Sequence, residues 1–362
     1  MENIFVTGGA GFIGSNFVRY ILKKDPGCRV VNLDAMTYAG HLENLQDLPD
    51  AKRHTFVKGN IQDQELVEKL LRDYRIDTIV HFAAESHVDR SILGPRQFIE
   101  TNIVGTFSLL EAARKVWLVE GIVPLDKVRF HHVSTDEVFG TLTLDDPAFN
   151  ENTRYAPNSP YSASKASSDH LVRAYYHTYN LPITISNCSN NYGPYQFPEK
   201  LIPLMIMNAV QGKALPIYGD GKQVRDWLYV EDHCEAIYEI LKNGESGQTY
   251  NVGGNNQPTN LEIVIKICEI LDEIFPESPN APHKSLMRFV KDRPGHDRRY
   301  AMDISRIQNE LNWQPKESLE SGLRKTIQWY LSHMDWLEAI LHDEGFKKWI
   351  RENYTDQRGR AL

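Results

Sequence analysis

A tyrosine and a lysine four residues apart could carry out acid-base chemistry on an alcohol. Tyr161 and Lys165 lie in a predicted helix that follows Pro157 and Pro160, so both side chains project from one helical face. The lysine charge favours phenolate and draws a tyrosine pKa of normally about 10 toward working pH. Such a tyrosine can accept the proton of an alcohol while hydride leaves the same carbon. This spacing also occurs by chance, so it needs a cofactor site as support.

Two adjacent carboxylates, Asp136 and Glu137, follow a predicted apolar strand that ends at Val133. Open α/β sheets bind their ligands at this position, outside the carboxyl ends of the strands. Neighbouring carboxylates at a strand exit are costly unless they are solvated, paired or functional, and two of them can be tuned separately for acid and base roles. An exposed turn is the alternative interpretation.

A glycine-rich turn near the start of the chain has the pattern of a dinucleotide-binding site. Gly8, Gly11 and Gly14 follow one predicted strand and open a predicted helix, whose free N–H groups suit a pyrophosphate. Asp34 lies twenty residues after Gly14, at the end of the second predicted strand, where a carboxylate can accept hydrogen bonds from both ribose hydroxyls. Because this carboxylate would repel a 2′-phosphate, the sequence predicts NAD rather than NADP.

These candidate residues need a scaffold of alternating strands and helices. Short apolar runs alternate with helical patterns, which predicts a parallel sheet covered on both faces. We therefore expect an α/β fold with a Rossmann-type doubly wound parallel sheet and a smaller C-terminal substrate-binding lobe. The predicted strands are 3–7, 29–33, 55–57, 78–82, 128–133 and 183–186, and the predicted helices are 12–22, 65–72, 96–117, 163–178, 201–211, 230–242, 260–274 and 319–333.

The alternation breaks after about Asn187, where loops rich in Asn, Pro, Gly and Tyr become frequent. We expect an NAD-binding Rossmann domain over residues 1–187 and a lobe for a second ligand over residues 188–355. Segments near 228–254, among them the apolar run 249–252, are expected to cross back to the first sheet.

Composition and charge exclude several classes of protein. Of the 362 residues, 41% are hydrophobic and 24% are charged, which excludes disorder, collagen and coiled coil. A net charge of −8 without a long basic run argues against nucleic acid as a partner. No segment reaches the roughly 18 apolar residues of a membrane helix, and no signal-like flank precedes the first strand, so we expect no membrane contact and a cytoplasmic location.

The cysteines do not have the spacing of a metal site or a disulfide framework. Cys28, Cys188, Cys234 and Cys268 are widely scattered, so we expect all four to be reduced and mostly to serve in packing. No metal site is predicted.

Several motifs, taken in their order and spacing, resemble those of one enzyme superfamily. The motifs are Thr7–Gly14, Ala83–Asp89, Ser134–Gly140 and the pair Tyr161 and Lys165. Together they resemble the extended short-chain dehydrogenase/reductase superfamily, and the chain is similar to its nucleotide-sugar 4,6-dehydratases over roughly residues 1 to 355. The similarity continues through Asn190–Pro194, Pro198–Pro203, Arg225–Trp227 and Asp292–Arg298.

The resemblance implies a lyase that converts dTDP-glucose to dTDP-4-keto-6-deoxyglucose and water. NAD, tightly bound and recycled in each turnover, would take hydride from C4 and return it to C6 after water leaves across C5 and C6. By the same resemblance, Glu137 removes the C5 proton and Asp136 protonates the departing C6 hydroxyl. The implied catalytic residues are Thr135, Asp136, Glu137, Tyr161 and Lys165.

Two sets of contacts also carry over from the resemblance. The expected cofactor contacts are Gly8, Gly11, Phe12, Ile13, Gly14, Asp34, Ala35, Met36, Thr37, Asn60, Ile61, Ala83, Ala84, Ser86, Thr101, Tyr161, Lys165 and Asn191. The expected substrate contacts are Ser86, Thr135, Asn190, Lys200, Leu201, Pro216, Tyr218, Arg225, Asn260, Arg293, His296 and Tyr354. Arg225 and Arg293 suit a pyrophosphate, because a guanidinium offers planar, bidentate donors.

The chain departs from its relatives at three places. Asn60 stands where relatives commonly have Asp, although an amide carbonyl can still meet adenine N6. Phe139 replaces a common Tyr. The stretch between Gly140 and Tyr161 is shorter than in enterobacterial relatives, which affects the segment over the site. His87, beside the cofactor loop, is interpreted as a structural hydrogen-bonding residue rather than a catalyst.

Other functions remain open at this point. One alternative is a UDP-sugar 4,6-dehydratase. Its substrate differs from a dTDP-sugar by one methyl group and a 2′-hydroxyl, and the sequence does not show which of the two nucleotides is bound. An epimerase or decarboxylase of the superfamily generally lacks the pair Asp136 and Glu137, and a dinucleotide-sensing regulator usually loses Tyr161 and Lys165. The predicted helices 96–117 and 163–178 resemble those of a four-helix dimer interface, so we expect a homodimer.

Overall fold

The protein consists of eleven strands and twelve α-helices within residues 1–292 and 297–342, which are the residues that the computed structural model describes. The strands are β1 (Asn3–Thr7), β2 (Arg29–Asp34), β3 (His54–Lys58), β4 (Thr78–His81), β5 (Arg129–Thr135), β6 (Ile183–Cys188), β7 (Asn190–Tyr192), β8 (Leu215–Tyr218), β9 (Trp227–Tyr229), β10 (Thr249–Val252) and β11 (Met287–Val290). The α-helices are α1 (Phe12–Lys24), α2 (Gln64–Asp73), α3 (Val88–Leu93), α4 (Pro95–Phe98), α5 (Thr106–Ala113), α6 (Pro160–Tyr179), α7 (Leu201–Val210), α8 (Val230–Asn243), α9 (Asn260–Ile274), α10 (Ser305–Leu311), α11 (Leu319–Ser332) and α12 (Met334–His342).

The central sheet contains seven of these strands in the order β10, β6, β5, β4, β1, β2, β3. Every adjacent pair in it is parallel. The chain winds outward in both directions from β1, which is the arrangement of a doubly wound sheet. The predicted α/β fold is therefore confirmed, and the carboxyl ends of all seven strands meet at one edge.

Alternating side chains of β1 show how the two faces of the sheet are covered. Ile4 and Val6 pack with apolar residues of α1 and α8, whereas Phe5 packs with residues of α2, α5 and α6. All three side chains are buried, as the two-residue period of a strand between two helical layers requires. Each layer of helices therefore excludes water from one face of the sheet.

The second part of the chain forms a smaller apolar core of its own. Helices α7, α9 and α11 pack together there through residues such as Ile206, Ile267 and Ile327. Two short parallel pairs, β8 with β11 and β7 with β9, complete this lobe. Strand β10, in contrast, pairs with β6 in the central sheet, and α8 packs against α1. The chain therefore returns to the first core after it has entered the second.

The predicted helix 96–117 is less regular than its sequence pattern indicates. It consists of α4, a π-helical stretch (Ile99–Gly105), α5 and a second π-helical stretch (Arg114–Val119). In the first π stretch, the Asn102 amide bonds the backbone of Glu85 at 2.8 and 3.0 Å and the Ser164 hydroxyl at 2.8 Å. These contacts join the stretch to the segment after β4 and to α6, and hydrophobic periodicity does not reveal them.

The four cysteines are buried and free, and the prediction that they are reduced packing residues agrees with this state. Cys28 and Cys234 lie in the core between α1, α8 and the sheet. Cys268 lies in the core of the second lobe, and Cys188 packs beside Val138 and Phe139.

Gly14→Ala tests the close approach of α1 to the glycine turn. A Cβ at Gly14 would lie 2.3 Å from the Gly8 carbonyl oxygen and 2.8 Å from the Gly9 Cα, so the turn must move. We expect the free energy of unfolding to fall by about 1 to 3 kcal/mol, measured by urea unfolding. Gly27→Ala is the matched control, because its Cβ would meet only the Asp25 carboxylate, at 3.5 Å. Equal stability of the two variants would contradict the close approach.

Candidate active site

Polar residues gather at the carboxyl edge of the central sheet. The glycine turn follows β1, Asp34 ends β2, and the Asp136–Glu137 pair follows β5. The remaining predicted cofactor residues also follow strand ends or lie in helices beside this edge: Ala35, Met36 and Thr37 after β2, Asn60 and Ile61 after β3, Ala83, Ala84 and Ser86 after β4, Asn191 in β7, Thr101 in the first π stretch, and Phe12 and Ile13 in α1. The fold thus brings residues that are distant in sequence to one edge.

The turn before α1 fits a pyrophosphate. Gly8 has φ +74°, and a Cβ there would lie 2.7 Å from the Ala83 backbone. Helix α1 starts after Gly11 without a side-chain cap and without an acidic residue in its first turn. Its first N–H groups and its positive dipole end therefore suit the negative charge of a cofactor phosphate.

Asp34 is positioned by backbone groups on both sides. One carboxylate oxygen accepts from the Ala10 N–H at 2.9 Å and the other from the Met36 N–H at 2.8 Å. Burial raises the pKa of Asp34 from its ordinary value, and the two N–H donors oppose this shift. Because a carboxylate has about four acceptor positions, lone pairs are left for ribose hydroxyls.

Asn60 is oriented by its own loop, since its side-chain carbonyl accepts from the Gln62 N–H at 2.9 Å. The side chain is exposed at the end of β3. The carbonyl keeps a second lone pair, so the substitution of the usual aspartate leaves an acceptor at this place.

Asp136 and Glu137 occupy different surroundings although they are adjacent. They begin a short 3-10 helix (Asp136–Phe139) that Thr135 caps by accepting from the Glu137 N–H. Asp136 is 2% exposed, and burial raises its pKa well above the ordinary value, with further increases from the charges of Glu137 and Asp226. Glu137 lines a cavity. The pair therefore combines a buried carboxyl group, which is shifted toward its neutral form, with a second one that lines the cavity.

Tyr161 and Lys165 lie in the first two turns of α6, which starts with a capping box of Ser159 and Ser162. Tyr161 is 8% exposed. The predicted lowering of its pKa is ascribed to Lys165 together with a nearby nicotinamide cation. In the chain itself, burial raises the Tyr161 pKa well above 10, and the charge of Glu137 raises it further. The Lys165 ammonium donates to the Val133 carbonyl oxygen at 2.8 Å.

A cavity of about 190 Å³ connects this edge to the second lobe. Its walls contain predicted substrate contacts from both parts of the chain, namely Ser86, Asn190, Lys200, Leu201, Tyr218, Arg225 and Asn260. Arg225 is almost fully buried, and its guanidinium lies 4.3 Å from the centre of the Tyr300 ring. The cations Lys200 and Arg225 suit an anionic group of a ligand, and the carboxylates Asp89, Glu137 and Glu199 line the same cavity.

Two predicted substrate contacts do not line this cavity. Thr135 is buried beneath Glu137, with its hydroxyl 3.2 Å from a carboxylate oxygen of Asp136. Pro216 lies in β8 opposite Arg288, two residues before Tyr218, which does line the cavity. Arg293, His296 and Tyr354 lie outside the described residues, so their predicted contacts stay predictions.

A buried group beside the cavity was missed by the sequence analysis. Glu199 lies between Arg90, at 3.4 Å, and His87, at 3.7 Å, and the Arg90 guanidinium stacks 3.4 Å from the Tyr38 ring centre. Burial raises the pKa of Glu199. Glu199 stands within the motif Pro198–Pro203, which was the available signal. His87 lines the cavity as well as lying beside Glu199, and its structural role stays a prediction.

Searches for metal and membrane sites found none within the described ranges. Among residues 1–292 and 297–342, no three His, Cys, Asp or Glu side chains are placed to share a metal ion. No helix in these ranges is long and apolar enough to span a membrane.

Comparison with known proteins shows similarity to sugar-nucleotide 4,6-dehydratases. The family model described as GDP-mannose 4,6 dehydratase matches residues 5–326. A dTDP-glucose 4,6-dehydratase of Salmonella typhimurium is 53% identical over 98% of this chain and 99% of its own length.

Solved structures agree with this result. A dTDP-glucose 4,6-dehydratase of Bacillus anthracis in complex with NAD has a TM-score of 0.83 at 46% identity, covering 94% of this chain and 100% of its own. A second one, from Streptomyces venezuelae with NAD bound, has a TM-score of 0.84 at 44% identity, covering 93% and 99%. With this identity over nearly the whole length and the same fold, the chain belongs to the family of the dTDP-glucose 4,6-dehydratases.

Proposed function

We propose that this chain is an NAD-dependent lyase that converts dTDP-glucose to dTDP-4-keto-6-deoxyglucose and water. The observation that carries the proposal is the position of the Asp136–Glu137 pair, with one member buried and the other facing the cavity. An epimerization needs only oxidation and reduction at C4, whereas a dehydration also needs an acid and a base at C5 and C6. The pair supplies these two additional groups.

We assign the cofactor to residues 1–187 together with the strand that returns to the sheet, and the nucleotide sugar mainly to the lobe from residue 188 onward. When bound, NAD accepts hydride from C4 and returns it to C6, so the net redox change is zero. The turn before α1 and Asp34 orient the cofactor, and Arg225 lies where it can meet the substrate pyrophosphate. Burial of Asp136 and Tyr161 limits the access of water to these two groups.

Three side chains then move protons. Tyr161 accepts the proton of the C4 hydroxyl during oxidation. Once C4 is a ketone, the C5 proton is acidified, and Glu137 removes it. Asp136, whose pKa is raised chiefly by burial, donates its proton to the C6 hydroxyl so that water can leave. The Lys165 charge supports the phenolate form of Tyr161, against the effect of burial.

Asp34→Ala tests the preference for NAD. The substitution removes the acceptor for the ribose hydroxyls, so NAD affinity should fall by about tenfold or more, while NADP affinity changes less because its 2′-phosphate gains from the lost charge. Titration of both cofactors into stripped protein measures this. Asp34→Asn is the comparison variant, since it removes the charge and keeps one oxygen acceptor, while its amide nitrogen replaces the other oxygen that accepts from a backbone N–H. Equal losses for both cofactors would place Asp34 away from the ribose.

Asp136→Asn and Glu137→Gln test the dehydration step. Neither residue acts on the C4 proton, so both variants should still oxidise C4, and the absorbance of NADH should build up on the enzyme while product formation falls by about 10²-fold or more. Deuterium exchange at C5 should decrease mainly in Glu137→Gln.

Tyr161→Phe is the matched control for this experiment, because it blocks the earlier step and should produce neither NADH nor product. Product formation at the unmodified rate in both carboxylate variants would rule out the elimination mechanism. If deuterium exchange at C5 survives in Glu137→Gln but disappears in Asp136→Asn, the acid role belongs to Glu137 and the base role to Asp136. The same assay with UDP-glucose in place of dTDP-glucose measures which nucleotide the enzyme prefers in its substrate.

We further propose that the chain forms a homodimer through the helical stretch 95–119 together with α6, which cover the predicted helices 96–117 and 163–178. Ile99, Val104 and Phe107 leave 50%, 40% and 44% of their surface exposed in this stretch, and α5 packs against α6. A second copy of the same face would cover these side chains, as in a four-helix interface. A cytoplasmic location likewise stays a proposal.

Phe107→Glu should shift the protein toward the monomer mass, because a charge would be buried in the interface. Sedimentation at micromolar concentration measures the change. Leu144→Glu is the control, since Leu144 is 62% exposed but lies outside these helices, and it should leave the mass unchanged. A monomeric mass of the unmodified protein would refute the dimer.

A further inference from the structure

The Lys165 ammonium lies in a closed polar environment beneath the cavity. The residue is 4% exposed, and its Nζ lies 2.8 Å from the Val133 carbonyl oxygen and 3.5 Å from His132 Nε2. Burial lowers the pKa of Lys165 from its ordinary value, and the negative charge of Asp169 is the largest effect that raises it. Because water does not reach the ammonium, its charge has to be stabilised by neighbouring protein groups.

Asp169 is fully buried one helical turn after Lys165. One of its carboxylate oxygens accepts from the Ser134 hydroxyl at 2.8 Å and from the Tyr155 hydroxyl at 2.9 Å. The other lies 3.2 Å from His132 Nε2. Burial alone would raise the pKa of Asp169, but His132, Lys165 and Ser134 lower it below the ordinary value. The group is thus a buried carboxylate that nothing in the proposed mechanism uses.

The other titratable groups around Lys165 are shifted toward their neutral forms by burial. Burial lowers the pKa of His81 from β4 and of His132 from β5, that of His132 to about 4. It raises the pKa of Cys188 from β6 to about 12 and also raises that of Tyr161 on α6. Asp169 is therefore the group that balances the lysine charge.

The same carboxylate also joins α6 to the end of β5. Ser134 directly precedes Thr135, and the Asn187 amide donates to the Thr135 carbonyl oxygen at 3.2 Å while it lies 3.4 Å from Asp169. On the outer side, the Arg173 guanidinium donates to the Tyr155 hydroxyl at 3.2 Å. The helix with Tyr161 and Lys165 is thereby held against the strand that leads to Asp136 and Glu137.

We propose that Asp169 is a positioning residue for the oxidation step, whose buried carboxylate keeps Lys165 as an ammonium and holds the exit of β5 against α6. This inference rests on the proposed function, which gives Lys165 its part in that step.

Asp169→Asn removes the charge and keeps the size and one acceptor. Without the negative neighbour the Lys165 pKa falls, so the alkaline loss of the C4 oxidation rate should begin at a pH at least about one unit lower, and the rate at pH 8 should fall about tenfold or more. Single-turnover formation of NADH from dTDP-glucose across pH measures both. Tyr155→Phe is the matched control, because it removes a hydrogen bond to the same carboxylate but no charge, and it should leave the alkaline limb in place. An unmoved alkaline limb in Asp169→Asn would overturn the proposal.

Thermal unfolding supplies a second test that needs no turnover. Lys165→Met leaves Asp169 buried without its counter-charge and should lower the melting temperature. Adding Asp169→Asn to Lys165→Met should raise the melting temperature again, which also provides a folded background if the single Asp169 variant does not fold. Additive losses in the double variant would show that the two groups are not coupled and would overturn the inference. Coupling in a protein that does not turn over dTDP-glucose would instead refute the proposed function alone.

Discussion

The common direction of the central strands is the constraint on which the rest of the structure depends. Register between neighbours places Thr7 beside His81, His81 beside His132, and Thr135 beside Cys188. The ends of β1 and β4 are therefore level, and so are the ends of β5 and β6, which extend three residues further. Because parallel strands carry their connections on the two faces, the loops that follow these ends share one edge. A cofactor turn, a carboxylate pair and the first turns of α6 meet there without any local sequence relation.

Burial at this edge decides which groups carry charge. Asp136 and Tyr161 are shifted toward their neutral forms by desolvation, which suits the proton-donating role that we propose for Asp136. Desolvation also lowers the pKa of Lys165, and the nearby charge of Asp169 opposes this shift. Proton positions at the site are thus set by water exclusion, and the layers of helices that cover the sheet produce this exclusion.

The second lobe contributes the other wall of the cavity and its contacts to the first. Asn16 of α1 donates to the Pro194 carbonyl oxygen at 2.9 Å, and Glu199 lies against Arg90 and His87. Strand β10 returns to the central sheet beside β6. The segments that hold Lys200 and Arg225 are therefore connected to the carboxyl edge of the central sheet on several sides, and both cations line the same cavity as Glu137.

The sequence by itself determined the parts of this protein that depend on local pattern. Hydrophobic periodicity located the strands of the central sheet and most helices to within a few residues, because an element buried on one or two faces must repeat its apolar positions. The glycine turn, Asp34, the Asp136–Glu137 pair and the Tyr161–Lys165 spacing were visible because each lies within one motif or at a strand end. Only the tertiary structure decided the remainder. Asp169 and Glu199 are ordinary polar residues in the sequence, and their significance comes from neighbours that are distant along the chain. The pKa of Tyr161 is governed by burial rather than by the lysine four residues away, since desolvation depends on all the elements that pack around the phenol and not on any one spacing.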